Sequence, residues 1–356
     1  MGKRAYAAGT AVLAAGVIAV GTGIAAASAS APAVRGASNR TGTAARSRSQ
    51  SGAAAPAVAA ARVSEGICSA PAAYKALAAK LSADIQAELR GREGHHAVTV
   101  YDTVTGISCH TGATRHFDSA SIVKAIILGA LLRWHQETGT PLSAWEKDEA
   151  TLMITESDND AATALWDEVG MTRLQHFLNL AKMGETQLGQ DGYWGLTQVT
   201  AHDEMLLLTL LTRPNSVLSS SSRSYQLGLM SRVISSQRWG TPAGAPGDVT
   251  VHVKNGWLPD DTGWHINSIG AFTGKTKNYM IAVLTDDSPS EQYGIDTVED
   301  VARVVHRDLN SAAAEAKLTA SAAPAATAQA ALSLGAPSPA APSPDALVAA
   351  LPAAGS

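Results

Sequence analysis

The sequence predicts an α/β chain of the α+β type: an antiparallel sheet, two terminal helices on one face and a helical block on the other. Three observations predict it. A helix-period stretch over 70–89 leads into two short strand-like runs, around 97–102 and 107–110, turning at Thr105-Gly106. A mostly helical block follows, over 119–211. Three strand-like runs and one amphipathic helix then close the patterned region. No internal repeat is visible.

Each element has its own signal. Helical pieces are expected at 121–137, 145–155, 159–168, 172–180 and 201–211, where apolar residues recur at three- and four-residue intervals. The runs VTVHVK, HINSIGAF and NYMIAVLT are rich in β-branched and aromatic residues and are separated by turn residues. The last helix, 297–309, places Val298, Val301, Val304, Val305 and Leu309 on one side.

Outside this region the composition changes. Residues 1–31 carry Lys3 and Arg4, a short apolar run at 11–20, and two small-x-small sites, Ala27-Ser28-Ala29 and Ala29-Ser30-Ala31. That pattern reads as an export signal, with an uncleaved anchor as the rival reading. Residues 32–62 are rich in Ala, Ser, Gly and Arg and read as a disordered linker. Residues 311–356 are Ala- and Pro-rich and read as a disordered, semi-extended tail. The expected folded domain is therefore 63–310.

The charge is nearly balanced, 27 Lys+Arg against 31 Asp+Glu, so no basic surface argues for nucleic acid. The two cysteines, Cys68 and Cys109, fit a disulfide in an exported chain; two free half-buried thiols are the other reading. His95-His96 fall in a polar turn, His202-Asp203 open a helix, and His252 lies in a strand. None has metal-ligand spacing, so no zinc site is expected.

The chemistry begins at FDSASIVKAIILGALL, a helix apolar on nearly every side. Ser121 and Lys124 lie one turn apart at its start, on one face. Asp118 is placed to cap it. Burial would lower the lysine's pKa and let it take a proton from a hydroxyl. Alone, the pair reads better as a capping serine with a snorkelling lysine. Further on, Ser157-Asp158-Asn159 separates two helical stretches, and Lys254-Asn255-Gly256-Trp257 ends a strand, with Gly256 opening a turn.

With these three motifs in this order, the sequence resembles the penicillin-recognising serine hydrolases, and class A β-lactamases most closely. That family carries S-x-x-K, S-D-N and K-T-G; here they read SIVK, SDN and KNG. The stretches VTVYDTVTGISCHTGATRHFDSASIVKAIIL, MITESDNDAATALW and GWHINSIGAFTGKTKNYMIAVLT are similar to the family's as well. The resemblance implies a β-lactamase-like fold, with a trimmed helical part because Ser157 follows Ser121 sooner than is typical.

It also implies roles. Ser121 would be the nucleophile, Lys124 its proton acceptor, Ser157 the proton donor to the departing nitrogen, and Lys254 a support for that path. Asn159 would bond the substrate's acyl amide, and Asn255 its carboxylate. Gly256 and Trp257 would line the cleft, and the Ser121 and Trp257 amides would hold the oxyanion. Glu185, in an E-x-x-L pattern with Gly189 where the family has asparagine, is either the deacylating base or a surface glutamate.

Three functions follow from this reading. The first is a secreted or wall-associated class A-like β-lactamase. The second is a peptidase, esterase or penicillin-binding protein of the same fold with slow deacylation. The third is a non-catalytic wall-binding domain. The substrate would be a small β-lactam or a cell-wall peptide. No cofactor, metal, nucleic acid or stable membrane insertion is implied, and the chain would act as a monomer.

Overall fold

A computed structural model describes residues 66–311. The expected export signal and linker, and all but the first residue of the expected tail, lie outside the described residues.

The chain enters through a short strand β1 (Cys68–Ser69) and then helix α1 (Lys75–Leu89), which starts five residues later than its periodicity suggested. Pro71 and a 3-10 turn over Ala72–Tyr74 take up the difference. Strands β2 (His95–Asp102) and β3 (Ser108–Thr111) form a hairpin, followed by the two-residue β4 (Phe117–Asp118). The helical block comprises α2 (Val123–Thr138), α3 (Ala144–Thr155), α4 (Asn159–Ala181), α5 (Ala201–Thr212) and α6 (Ser220–Met230), with β5 (Gln198–Val199) before α5. Strands β6 (Thr250–Pro259), β7 (Trp264–Thr273) and β8 (Asn278–Ser288) precede the last helix, α7 (Glu291–Leu309).

The main sheet runs β1-β3-β2-β8-β7-β6 and is antiparallel throughout. Strand alternation sorts its side chains into two cores. From β8, Tyr279, Ile281 and Val283 face α1 and α7, where Leu81, Ile85, Val298, Val301 and Val305 are buried. Met280, Ala282 and Leu284 face the helical block. A fully buried valine or leucine contributes about 1.5–3 kcal/mol, so these two layers carry most of the stability. The disulfide Cys68–Cys109 staples β1 to β3 across directly paired residues.

Helix α2 is apolar all round because it is the centre of the helical block; Val123 to Leu132 are all buried. Its start differs from expectation. Asp118 does not cap it, since the carboxylate accepts from the Gln198 side chain, and a 3-10 turn over Ala120–Ile122 opens the helix without a side-chain cap. Two predicted helices merge into α4, with a break at Gly170 (φ 73), a conformation that costs glycine little. Helix α6 opens on a run of serines and was not expected.

Strand β6 also runs further than predicted. Gly256 pairs with Asn267 inside the sheet, and the turn comes later, where Asp260 Oδ1 accepts from Thr262 N (2.7 Å) and Gly263 N (3.0 Å). His95 and His96 lie in β2 rather than in a turn, and His95 Nδ1 meets Asp286 at 2.7 Å. Among the described residues no helix is long and apolar enough to cross a membrane.

Candidate active site

The site forms where the start of α2, the α3–α4 junction and β6 converge. Gly256 makes this convergence possible. A Cβ there would lie 2.7 Å from both Ser119 O and Ser121 N, and 2.9 Å from Ile122 N. Strand β6 can therefore press against the Ser121 turn only with glycine at this point. The turn is also held from β7, where Asn267 Nδ2 donates to Asp118 O (2.8 Å) and Ser119 O (3.3 Å). Ala120 (φ 46) and Ser157 (φ 58) both sit in the left-handed region, at about 1–3 kcal/mol each. One strained residue thus precedes Ser121, and the other is Ser157 itself.

Lys124 and Lys254 are both fully buried. They meet at Ser157: its Oγ lies 3.2 Å from Lys124 Nζ and 2.9 Å from Lys254 Nζ. Lys124 also donates to Ser157 O (2.6 Å) and Asn159 Oδ1 (2.8 Å). Asp158, in the same motif, caps α4 by accepting from Ala161 N. Burial pushes the Lys124 amine down to about 7, opposed by the nearby Asp158 carboxylate. Burial, and then the charge of Lys124, holds Lys254 well below the ordinary lysine value.

A neutral Lys124 suits these surroundings. It has two N–H groups for the two carbonyl oxygens and one lone pair for the Ser157 hydroxyl. Ser121 is half-buried, and among the described residues its Oγ has no hydrogen-bond partner. The arrangement is a half-open hydroxyl beside a desolvated amine, a second hydroxyl and a second lysine. It can accept and pass on a proton during attack on a carbonyl.

Four expected residues therefore come together as predicted: Ser157, Lys124, Lys254 and Asn159, with Ser121 on the adjoining turn. Trp257 follows Gly256 on β6, and its ring meets Trp239 edge-on at 5.8 Å. Two other expected residues stand apart from this cluster. Asn255 does not offer its amide to a ligand. It is buried, and its Nδ2 is spent on Gln237 O (3.0 Å) and Trp239 O (2.9 Å). Glu185 is exposed. Its main chain is fixed by Asp203 Oδ2, which accepts from Glu185 N (2.9 Å), and by a bond between Glu185 O and His116 Nε2 (2.8 Å). Among the described residues its carboxylate bonds to none of the cluster.

Sequence reasoning passed over two residues that matter here. Asp203 reads as a helix cap; the helix is in fact capped by Thr200, and the fully buried Asp203 carboxylate anchors the Glu185 main chain and the Thr186 hydroxyl (2.8 Å). Trp194 lies with its ring centre 4.8 Å from Lys124 Nζ. The only signal for it is an aromatic residue set between glycines in a loop. His252 is buried and bonded to Leu227 O (2.8 Å) and Thr273 Oγ1 (2.9 Å), which gives it a packing role. Among the described residues His95, Asp286 and Asp287 are close enough to share a cation. The Arg115 guanidinium already occupies two of the three, at 2.8 Å from His95 Nδ1 and 3.1 Å from Asp286 Oδ2.

Sheet order, terminal helices and this cluster define the class: a β-lactamase-like fold of the penicillin-recognising serine hydrolases. Residues 134–309 match the family model described as the beta-lactamase enzyme family. The matched segment begins after Ser121 and Lys124, which are placed by the geometry above. Three solved structures illustrate the likeness. TLA-3 extended-spectrum beta-lactamase has a TM-score of 0.59 at 16% identity, over 65% of this chain and 98% of that one. A beta-lactamase from Sphaerobacter thermophilus has 0.55 at 20%, over 64% and 96%. PBP-A has 0.56 at 20%, over 64% and 94%. At these identities the likeness establishes the fold. A search of curated protein sequences gives no match.

Proposed function

We propose that this protein is an exported serine acyl-transfer enzyme that forms a Ser121 ester with β-lactams or cell-wall peptides and releases it slowly. One observation carries the reading: Ser157 Oγ is shared by two fully buried lysines beside the Ser121 turn. The Cys68–Cys109 disulfide supports an oxidising compartment.

Ser121 Oγ attacks the carbonyl carbon, and its proton passes to the neutral Lys124 amine. The carbonyl oxygen gains charge and is held by the Ser121 and Trp257 amides, each worth about 3 kcal/mol in comparable sites. The C–N bond then breaks, and the departing nitrogen takes a proton from Ser157. Lys124 returns a proton to Ser157, and Lys254 steadies that path. Asn159 Nδ2, which has no bond among the described residues, is available to a substrate carbonyl.

Release is where the readings divide. Glu185 is exposed and Asp158 is turned to capping α4, so among the described residues no carboxylate bonds to Lys124 where it could activate water, which favours a long-lived acyl-enzyme over rapid lactam hydrolysis. A β-lactamase with fast turnover is the second reading, and is supported by the family-model match over 134–309. The test is a chromogenic cephalosporin with intact-mass measurement over time. A stoichiometric burst with a lasting adduct supports the proposal. Steady turnover without a lasting adduct supports the β-lactamase. No adduct and no turnover refute both.

A further inference from the structure

Trp194 is bolted into place by its surroundings. Its indole Nε1 donates to Thr163 Oγ1 on α4 (3.1 Å). The 3-10 turn that carries it, Trp194–Leu196, docks on the Ser121 turn: Ser119 N donates to Thr197 O (2.8 Å) and Ser119 Oγ to Gly195 O (3.3 Å). Behind it, Gly189 N donates to Thr197 Oγ1 (3.0 Å), and Gln187 pairs with Gln198. The whole segment is thus tied to the nucleophile turn and to α4.

The ring this segment presents stands over Lys124 Nζ. The other groups around that amine are Ser157 and Asn159 at the α3–α4 junction, Asp158 beside them, and Lys254 from β6. Among the described residues only Asp158 offers a compensating negative charge, and its carboxylate is turned to capping Ala161 N. The amine nevertheless has no solvent exposure. The indole is the apolar wall on its remaining side.

We propose that Trp194 is a positioning residue that seals Lys124 from solvent and keeps water from the Ser121 ester. The seal explains how a lysine with so few counter-charges stays dry and ready to accept a proton. The ring's negative face favours an ammonium, yet excluding water favours the neutral amine; for a fully buried nitrogen, exclusion is the larger effect. The second part rests on the acyl-enzyme reading above. Hydrolysis adds water across the acyl–Oγ bond, giving a free acid and the Ser121 hydroxyl. That water must approach beside Lys124, the space the indole fills.

Two measurements on the full chain test this, comparing wild type, Trp194→Ala and Trp194→Phe. The first needs no activity: acetic anhydride labelling of Lys124, mapped by peptide mass from pH 6 to 11. Trp194→Ala should label about tenfold faster at its high-pH plateau, with its inflection raised by about one pH unit or more. Trp194→Phe keeps an apolar ring and should stay near wild type, which also controls for misfolding. Labelling in Trp194→Ala that matches wild type in rate and inflection overturns the seal. The second is adduct lifetime after cephalosporin acylation, expected to shorten about tenfold in Trp194→Ala. An unchanged lifetime with faster labelling overturns the water-exclusion part alone. A wild type that forms no adduct refutes the acyl-enzyme reading and with it the water-exclusion part, while the seal stands or falls on the labelling.

Discussion

The acylation rate should follow the titration of Lys124. Burial lowers this amine from the ordinary 10.5 to about 7, a penalty on the ammonium of about 5 kcal/mol. If the neutral amine accepts the Ser121 proton, acylation is flat above about pH 8 and falls tenfold per unit below 7. At pH 5 only about one molecule in a hundred carries the neutral amine. Stopped-flow acylation with a chromogenic cephalosporin, from pH 5 to 9 at constant ionic strength, reads this directly. Lys124→Arg, which stays protonated, should lose about 10²–10⁴-fold at every pH. The same shift has a stability consequence. The folded pKa lies below the unfolded one, so the unfolded chain binds more protons between about 7 and 10.5, and stability rises with pH through that window. A rate that is level from pH 6 to 8, or that inflects at 9 or above, would refute Lys124 as the base.

Three other outcomes follow from the geometry. His306 is buried between Tyr279 Oη (2.8 Å) and Thr241 O (2.8 Å), and burial pushes its imidazole down to about 4. Its contribution is complete above about pH 6.5 and is lost as pH falls to 4, about 3 kcal/mol in all; urea midpoints of wild type and His306→Gln across that range should differ in slope. Replacing both Cys68 and Cys109 by serine, with a separation of 41 residues, should cost about 4 kcal/mol and lower Tm by roughly 8–16 °C; a loss under about 1 kcal/mol would contradict the staple. Gly256→Ala must push β6 away from the Ser121 turn, so acylation should fall at least about tenfold alongside a loss of about 1–3 kcal/mol in a urea melt.

How much of this could be read in advance depended on the signal each residue carries. The periodicity of α7 and the alternation of β7 and β8 are set by burial, so pattern and structure agree there. The Ser-x-x-Lys, Ser-Asp-Asn and Lys-Asn-Gly spacings placed Ser121, Lys124, Ser157 and Lys254 in one cluster because each motif sits at the end or junction of a recognisable element. Gly256 misled: glycine in a strand was taken for a turn, when it permits a close approach whose other half is distant in sequence. Asn255 could not be oriented either, because its partners Gln237 and Trp239 come from a loop without pattern. Helix α6 was hidden by its serine-rich start, and Glu185 and Trp194 exchanged apparent importance for the same reason. Loop residues acquire their position from tertiary anchors such as Asp203 and Thr163.

The measurement that bears most directly on the account is the intact mass of the full chain after mixing with a cephalosporin, wild type beside Ser121→Ala. The account predicts one stoichiometric adduct on wild type, mapped to the Ser121 peptide and persisting after the burst of product, and none on Ser121→Ala. An adduct on both proteins, or on neither, would contradict Ser121 as the nucleophile.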